Sequence, residues 1–308
     1  MTTSTQVGTR TGERARDRSP VVVAVDGSDR NKAAVAWAAT EAARLGTRLV
    51  LVTVVDDAVL PLPHFSVRGT EQQARSMLDA VAAEVGPVVG PENLDSQVLS
   101  GWPAEVLVSR FPEARLLVVG KRGLGAIPRL IVGSTSLAVA GRARVPVVVV
   151  PDEWHQVDHD HRPIVVGVDP YRPYERVVDV AIERAARFEV PLVAVHGWEI
   201  PTAGAWGATS MAGAATPAVA EWEEQAHDEF DRVLNAWRGR HPEVELSGVR
   251  SHLQPAMAVL DAAEKAQLVV LGRHVSHRLG GFAFGSVTRA VLHYAECPVL
   301  VVPTDNDA

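Results

Sequence analysis

Four landmarks in this chain recur at one fixed spacing. Pro103, Gly120, Gly133 and Pro146 each have a counterpart 152 residues further on, at Pro255, Gly272, Gly285 and Pro298. One offset shared by four positions means an internal duplication. Whatever the chain folds into, it folds into twice, and 308 residues suffice for two ordinary domains. Asp26 and Asp169 form a fifth pair, set closer together, so the second copy carries extra residues between its landmarks. They fall in IPTAGAWGATSMAGAATPA, a small-residue loop ahead of that copy's second helix.

Each copy alternates strand and helix. The first opens with VVVAV, a continuous β-branched run of the kind buried on both faces of a parallel sheet. SDRNKAAVAWAATEAARLG follows as a helix, capped by Ser28 or Asp29 and ended by Gly46. TRLVLVTVV, LDSQVLS, RLLVVG and PVVVV supply further strands, with helices over EQQARSMLDAVAAEVG, PAEVLVSRF and STSLAVAGRA between them. The second copy repeats this with strands PIVVGVD, PLVAVHGW, VELSGVR, QLVVLG and PVLVV, and helices beginning near Tyr174, Pro217, Pro255 and Ser286. The predicted class is α/β: two tandem doubly wound domains, each a five-stranded parallel sheet of order 3-2-1-4-5 flanked by helices. The expected boundaries are a disordered tail at 1–19, a first domain at 20–151, a linker at 152–162 and a second domain at 163–304. The short apolar last strands, PVVVV and PVLVV, are expected to cap each other as the halves pack, and whole chains to associate further.

The net charge of −7 argues against a general nucleic-acid or anionic-membrane binder. The longest apolar runs are far too short to span a bilayer. The Arg-rich start of the chain has no apolar core of a secretory signal. The single cysteine, Cys297, excludes an internal disulfide and fits a reducing cytoplasm; it precedes Pro298 at a strand start and is expected to be inert. The seam PDEWHQVDHDHRP gathers His155, Asp158, His159, Asp160 and His161, ligand types for a metal, but nothing in their spacing preorganises them, and the expected state is a solvated linker.

In a doubly wound sheet, ligands sit outside the carboxyl ends of the strands where strand order reverses. With order 3-2-1-4-5 that point lies between the first and fourth strands, which end at Asp26 and Gly120. Both should therefore face one crevice. Glycines at the loop allow positive φ and close backbone approach, so that N–H groups can point at an anion. Gly133 then opens a helix through Ser134, whose free N–H groups and dipole favour phosphate. The hydroxyls of Ser134, Thr135 and Ser136 add donors. Asp26 repels phosphate and suits the other end of a nucleotide, accepting from an adenine amino group or a ribose hydroxyl. The loop is neither a Walker A sequence, since no lysine precedes Ser134, nor a G-x-G-x-x-G turn after the first strand.

G-x-x-G, nine residues, then G-[ST] is met at Gly120, Gly123, Gly133 and Ser134. With the opening VDGS at Asp26 and the closing VPVVVVP, the chain resembles the universal stress proteins over nearly its whole length, as two tandem copies of the nucleotide-binding kind. The resemblance implies an ATP site, with or without Mg²⁺. Asp26 would meet adenine, with Ala24, Val25 and Val54 walling the base. Gly120, Arg122 and Gly123 would follow the ribose and phosphates, and Gly133, Ser134, Thr135 and Ser136 would hold the phosphate tail. The matching positions in the second copy are Asp169, Gly272, Gly285, Ser286, Val287 and Thr288. That copy departs from the pattern: VDPY replaces VDGS, and Val275 stands where the second glycine belongs. A β-branched residue resists positive φ, so the second site is expected to be the weaker. The resemblance also implies pairing through the last strand, hence a homodimer or higher homo-oligomer.

Lys121 and Arg129 flank the first loop, and His274 and His277 lie in the second. Each is read as a solvated side chain or as a phosphate contact. Trp37, Trp198, Trp222 and Trp237 lie on helix or strand patterns and are read as core or domain-interface residues. No Ser/His/Asp spacing suggests a triad, and no paired carboxylates flank the phosphate loop. Any hydrolysis is therefore expected to be slow and incidental, and the resemblance implies regulation that responds to an adenine nucleotide in stress adaptation. The alternatives are a scaffold whose glycine loops are relics, and an enzyme that uses ATP. No nucleic-acid or membrane partner is expected, and the downstream protein partner is open.

Overall fold

A computed structural model describes residues 19–55, 67–123, 132–155, 157, 160–172, 174–198, 217–273 and 285–304. Residues 1–18 of the expected tail, all but the end of the small-residue loop of the second copy, Val275 and the neighbouring His274 and His277 lie outside these residues, as do Arg129, Asp158 and His159.

The first half runs β1 (Val21–Ala24), α1 (Lys32–Leu45), β2 (Leu49–Val55), α2 (Val67–Val89), β3 (Leu94–Ser100), α3 (Pro103–Arg110), β4 (Leu116–Gly120), α4 (Ser134–Arg142) and β5 (Val147–Val150). The second runs β6 (Ile164–Gly167), α5 (Glu175–Phe188), β7 (Leu192–Gly197), α6 (Pro217–Arg240), β8 (Leu246–Ser251), α7 (Pro255–Ala263), β9 (Leu268–Arg273), α8 (Ser286–Tyr294) and β10 (Val299–Pro303). Short 3₁₀ turns cover Asp29–Asn31 and Pro91–Asn93.

The strands form one ten-stranded sheet ordered β3-β2-β1-β4-β5-β10-β9-β6-β7-β8. Each half has the 3-2-1-4-5 order that its sequence implies. The halves do not keep separate sheets. β5 and β10 pair antiparallel, with Val149 opposite Val299, Val148 opposite Leu300 and Val147 opposite Val301. The last strands thus cap each other as expected. Within each half every pairing is parallel.

The β-branched runs are buried because helices cover both faces. Val21, Val22 and Val23 are wholly buried, as are Val165 and Val166 in β6. The outermost strands, β3 and β8, are mostly exposed or half-buried. They carry Asp95 and Arg250, charges that discourage pairing with another chain's edge.

The seam is mixed among its described residues: Glu153, His155, Val157 and His161 are exposed, as in a solvated linker, while other positions anchor it. Trp154 and Asp160 are buried, and Gln267 donates from Nε2 to the Asp160 carbonyl at 2.9 Å. Arg162 holds the Asp160 carboxylate through Nε at 2.9 Å and Nη2 at 2.6 Å, and lies over the Trp154 ring. That guanidinium keeps the Asp160 carboxyl below its ordinary pKa although burial opposes it. Nearby, Glu41 on α1 and Arg184 on α5 form a buried ion pair between the halves, roofed by Trp37 and Phe188.

Candidate functional site

β1 stops at Ala24, and the next residues turn outward over the carboxyl edge of the sheet. The Val25 N–H still bonds the Val52 carbonyl at 2.7 Å, so Val25 stays buried against β2. Gly27 makes the turn, with φ +76°, and a Cβ there would stand 2.4 Å from Met77 Sδ. The backbone angle favours glycine, and a Cβ would also force the flexible Met77 side chain to move. The turn aims Asp26 across the edge. Its Oδ1 accepts from the Ser28 N–H at 2.9 Å and the Ser28 hydroxyl at 2.7 Å. Its Oδ2 faces the β4 side: a Cβ on Gly123 would be 2.6 Å away. The two ends of the expected crevice therefore meet, Asp26 from β1 and Gly123 from the turn after β4. Val54 is half-buried near the end of β2, beside them.

The loop glycines differ from expectation in one respect. Gly120, Gly123 and Gly133 are not among the described glycines with positive φ. What Gly123 supplies is room for the Asp26 carboxylate. Gly120 sits under a lid: a Cβ there would lie 3.2 Å from both the Arg122 carbonyl and Asn31 Nδ2.

Asn31 went unnoticed in the sequence. It is 5% exposed, donates from Nδ2 to the Ala24 carbonyl at 3.1 Å, and thus ties the α1 entry to the end of β1. Its Oδ1 is buried with no hydrogen-bond partner among the described residues. The only sequence signal was its place in VDGSDRN, just before a helix, where Asn often serves the backbone.

At the other end, α4 starts after Gly133, which has φ −69° and ψ 149°, and no side chain caps the helix. The N–H groups of its first turn, at Ser134, Thr135 and Ser136, therefore lack intrahelical acceptors. Ser134 is exposed and Thr135 half-buried. Gly133 and Ser136 have structural bonds instead. The Gly133 N–H donates to the Lys121 carbonyl at 2.8 Å, and the buried Ser136 hydroxyl to the Gly120 carbonyl at 2.6 Å. These bonds pin the helix start to the β4 turn. The two basic side chains of that turn point elsewhere. Arg122 Nε donates to Asp152 Oδ2 at 2.7 Å, and Lys121 Nζ to the Ala295 carbonyl, in the other half, at 3.0 Å. Burial, and then the Arg122 charge, hold the Lys121 ammonium below its ordinary pKa.

The second half keeps this frame and changes its contents. Thr288 Oγ1 donates to the Gly272 carbonyl at 2.9 Å, matching Ser136 and Gly120, and Gly285 precedes an uncapped α8. Ser286 is exposed and Val287 half-buried. Asp169 differs from Asp26: its Oδ2 accepts from Arg172 Nε at 3.1 Å and its Oδ1 from the Tyr171 N–H at 3.1 Å. Tyr174 takes the place of Asn31 and packs edge-on to Trp237, with centroids 5.5 Å apart. His196 lies near the end of β7 where Thr53 lies in β2; its Nδ1 is 3.0 Å from the Val168 carbonyl and it stacks on Phe230.

The family model described as the universal stress protein family matches residues 18–151 and again residues 161–303. The chain belongs to the universal stress protein family. A universal stress protein of Mycobacterium tuberculosis is 33% identical over 297 residues, covering 94% of this chain and 98% of that protein. One of Mycolicibacterium smegmatis is 32% identical over 300 residues, covering 92% and 96%. A solved universal stress protein of Archaeoglobus fulgidus has a TM-score of 0.63 at 17% identity, with 96% of this chain and 100% of that one covered, and shares the fold. The tandem architecture is thus common to this universal stress protein and its full-length relatives. Among the described residues no helix is long and apolar enough to cross a membrane.

Proposed function

We propose that this universal stress protein binds ATP, with or without Mg²⁺, in the crevice of its first half and acts as a nucleotide-responsive regulator in stress adaptation, not as an enzyme. The observation that carries the reading is the approach of Asp26 Oδ2 to Gly123, across from the uncapped start of α4. The crevice thus has an acceptor for a base or ribose at one end and backbone donors for phosphates at the other. Such a polarity matches a nucleotide and is poorly suited to a free phosphate. Ala24, Val25 and Val54 would wall the base. Gly120, Gly123, Ser134 and Thr135 would face the ribose and phosphates. Arg122 is held by Asp152 and would have to leave it to join them.

The second crevice, built from Asp169, Gly272, Gly285, Ser286, Val287 and Thr288, is the weaker one in this reading, because VDPY replaces VDGS and Val275 replaces the second glycine there. The two domains are taken as 20–151 and 163–304, and the compartment as the cytoplasm. Association of whole chains would need a surface other than the last strands, since β5 and β10 occupy each other.

Calorimetric titration of the full chain with ATP tests this. Asp26→Ala is expected to weaken the tighter site at least tenfold, and Asp169→Ala to leave that site unchanged. A larger loss in the Asp169 variant would reverse the ranking, and absence of any ATP binding would end the proposal.

A further inference from the structure

The phosphate-facing turns of the two halves are cross-braced. Lys121 follows β4 in the first half, and its Nζ bonds the carbonyl of Ala295, the residue that closes α8 in the second, at 3.0 Å. Arg273 is the Lys121 counterpart at the end of β9. Its Nη1 bonds the carbonyl of Ala143, which closes α4 in the first half, at 2.6 Å. Ala143 and Ala295 are themselves counterparts, with φ −62° at both and ψ 142° and 138°. The brace was thus made twice, with a lysine on one side and an arginine on the other. Each cation sits where a helix exposes unsatisfied carbonyls and the negative end of its dipole.

The geometry joins the two crevices. β5 and β10 run antiparallel, so the carboxyl ends of the two sets of strands lie on opposite edges of the sheet. A helix that starts at one crevice therefore ends near the other. α8 begins at Gly285 in the second crevice and ends on Lys121 of the first. α4 begins at Gly133 in the first and ends on Arg273 of the second. Lys121 is fixed at every polar group. Its N–H donates to the Val150 carbonyl at 2.7 Å, its carbonyl accepts from the Gly133 N–H at 2.8 Å, and its ammonium is on Ala295. Arg273 is 4% exposed, and its carbonyl accepts from Thr304 Oγ1 at 2.8 Å.

We infer that Lys121 and Arg273 are positioning residues that couple the two crevices, each transmitting the state of its own phosphate-facing turn to the far end of the helix that serves the other. This rests on the reading above that the first crevice binds ATP. An anion at the start of α4 orders the turn pinned to it through Gly133 and Lys121. The ammonium is then held more firmly on Ala295, and the last turn of α8 is steadied. In the reverse direction, Arg273 steadies α4 and so favours the anion at its start.

Backbone hydrogen exchange of the full chain, with and without saturating ATP, separates the two ideas. ATP is expected to slow exchange in the first turn of α4 and, by about 5-fold or more, at the Ala295 amide, the low end of ordinary coupling between sites. In Lys121→Met the Ala295 response should vanish while the α4 response remains at higher ATP, and Lys121→Arg should restore it. No response at α4 sinks the ATP reading and the coupling together. A response at α4 with none at Ala295 in the unmodified protein overturns the coupling alone, as does an Ala295 response that survives in Lys121→Met. Arg273→Met provides an independent arm, since Arg273 lies on the far edge from the first crevice. It should weaken ATP binding about 5-fold, and unchanged affinity in the folded variant overturns the coupling in that direction.

Discussion

A methyl group placed on Gly123 and one placed on Gly133 would meet different fates. At Gly133 the nearest atoms stand at 3.5 Å or more and φ is −69°, so a Cβ fits without strain at the start of α4. Gly133→Glu is expected to leave the melting temperature nearly unchanged and to abolish ATP binding in the first half, because it adds bulk and a negative charge where phosphate would sit. Calorimetry on the folded variant checks this, and unchanged affinity would count against the site. At Gly123 a Cβ would meet Asp26 Oδ2 at 2.6 Å. Gly123→Ala should therefore push the carboxylate aside and weaken ATP about tenfold, roughly 1.4 kcal/mol. The spacing of these glycines was plain in the sequence. Their reasons were not, because backbone angle and spatial crowding leave the same letter. The destinations of Lys121 and Arg122 were equally hidden, since their partners Ala295 and Asp152 belong to segments that no local pattern connects to the loop.

Secondary elements were legible where composition alone decides them. VVVAV, PVVVV and their repeats are buried strands because such runs have no polar face to expose. α2 begins at Val67, earlier than the expected Glu71, because Gly69 reads as a breaker when taken alone. The ends of α1 and α5 show what duplication leaves behind. α1 closes on Gly46 with φ 62°, while α5 closes on Glu189 with φ 54°. A residue with a Cβ in the left-handed region costs about 1–2 kcal/mol. Glycine loses about 0.5–1 kcal/mol of that advantage to chain entropy. Glu189→Gly is therefore expected to stabilise the protein by roughly 0.5–1 kcal/mol, read as a higher urea midpoint with unchanged slope. A lower midpoint would mean that the Glu189 side chain contributes more than its backbone strain removes.

Across the whole molecule the halves meet through the β5–β10 pairing and the Glu41–Arg184 ion pair, whose side chains are 5% and 12% exposed. Removing one partner strands a buried charge. Arg184→Met should cost about 3–5 kcal/mol, and the double variant Arg184→Met, Glu41→Leu should recover most of it. A double variant no more stable than the single one would show that the pair itself, not the stranded carboxylate, matters. Acid should weaken the protein as well. His196 and His293 both have pKa values lowered first by burial, with Arg289 and then Lys121 adding to the effect at His293. A histidine whose folded pKa lies below its unfolded value binds a proton more readily once unfolded. Stability is thus flat above the ordinary histidine range and falls as pH drops through it. Denaturant midpoints from pH 8 to pH 5 should show that fall, reduced in His196→Gln.

The antiparallel seam also bears on inheritance. Two identical subunits joined through their last strands would have to keep identical crevices, since any substitution appears in both. Here the partners are encoded separately within one chain, at a fixed ratio of one to one. The two crevices were thereby free to differ, and they do: Asn31 corresponds to Tyr174, Gly27 to Pro170 and Thr53 to His196. Fusion made room for a division of labour, in which one copy can hold a ligand while the other acquires a different task.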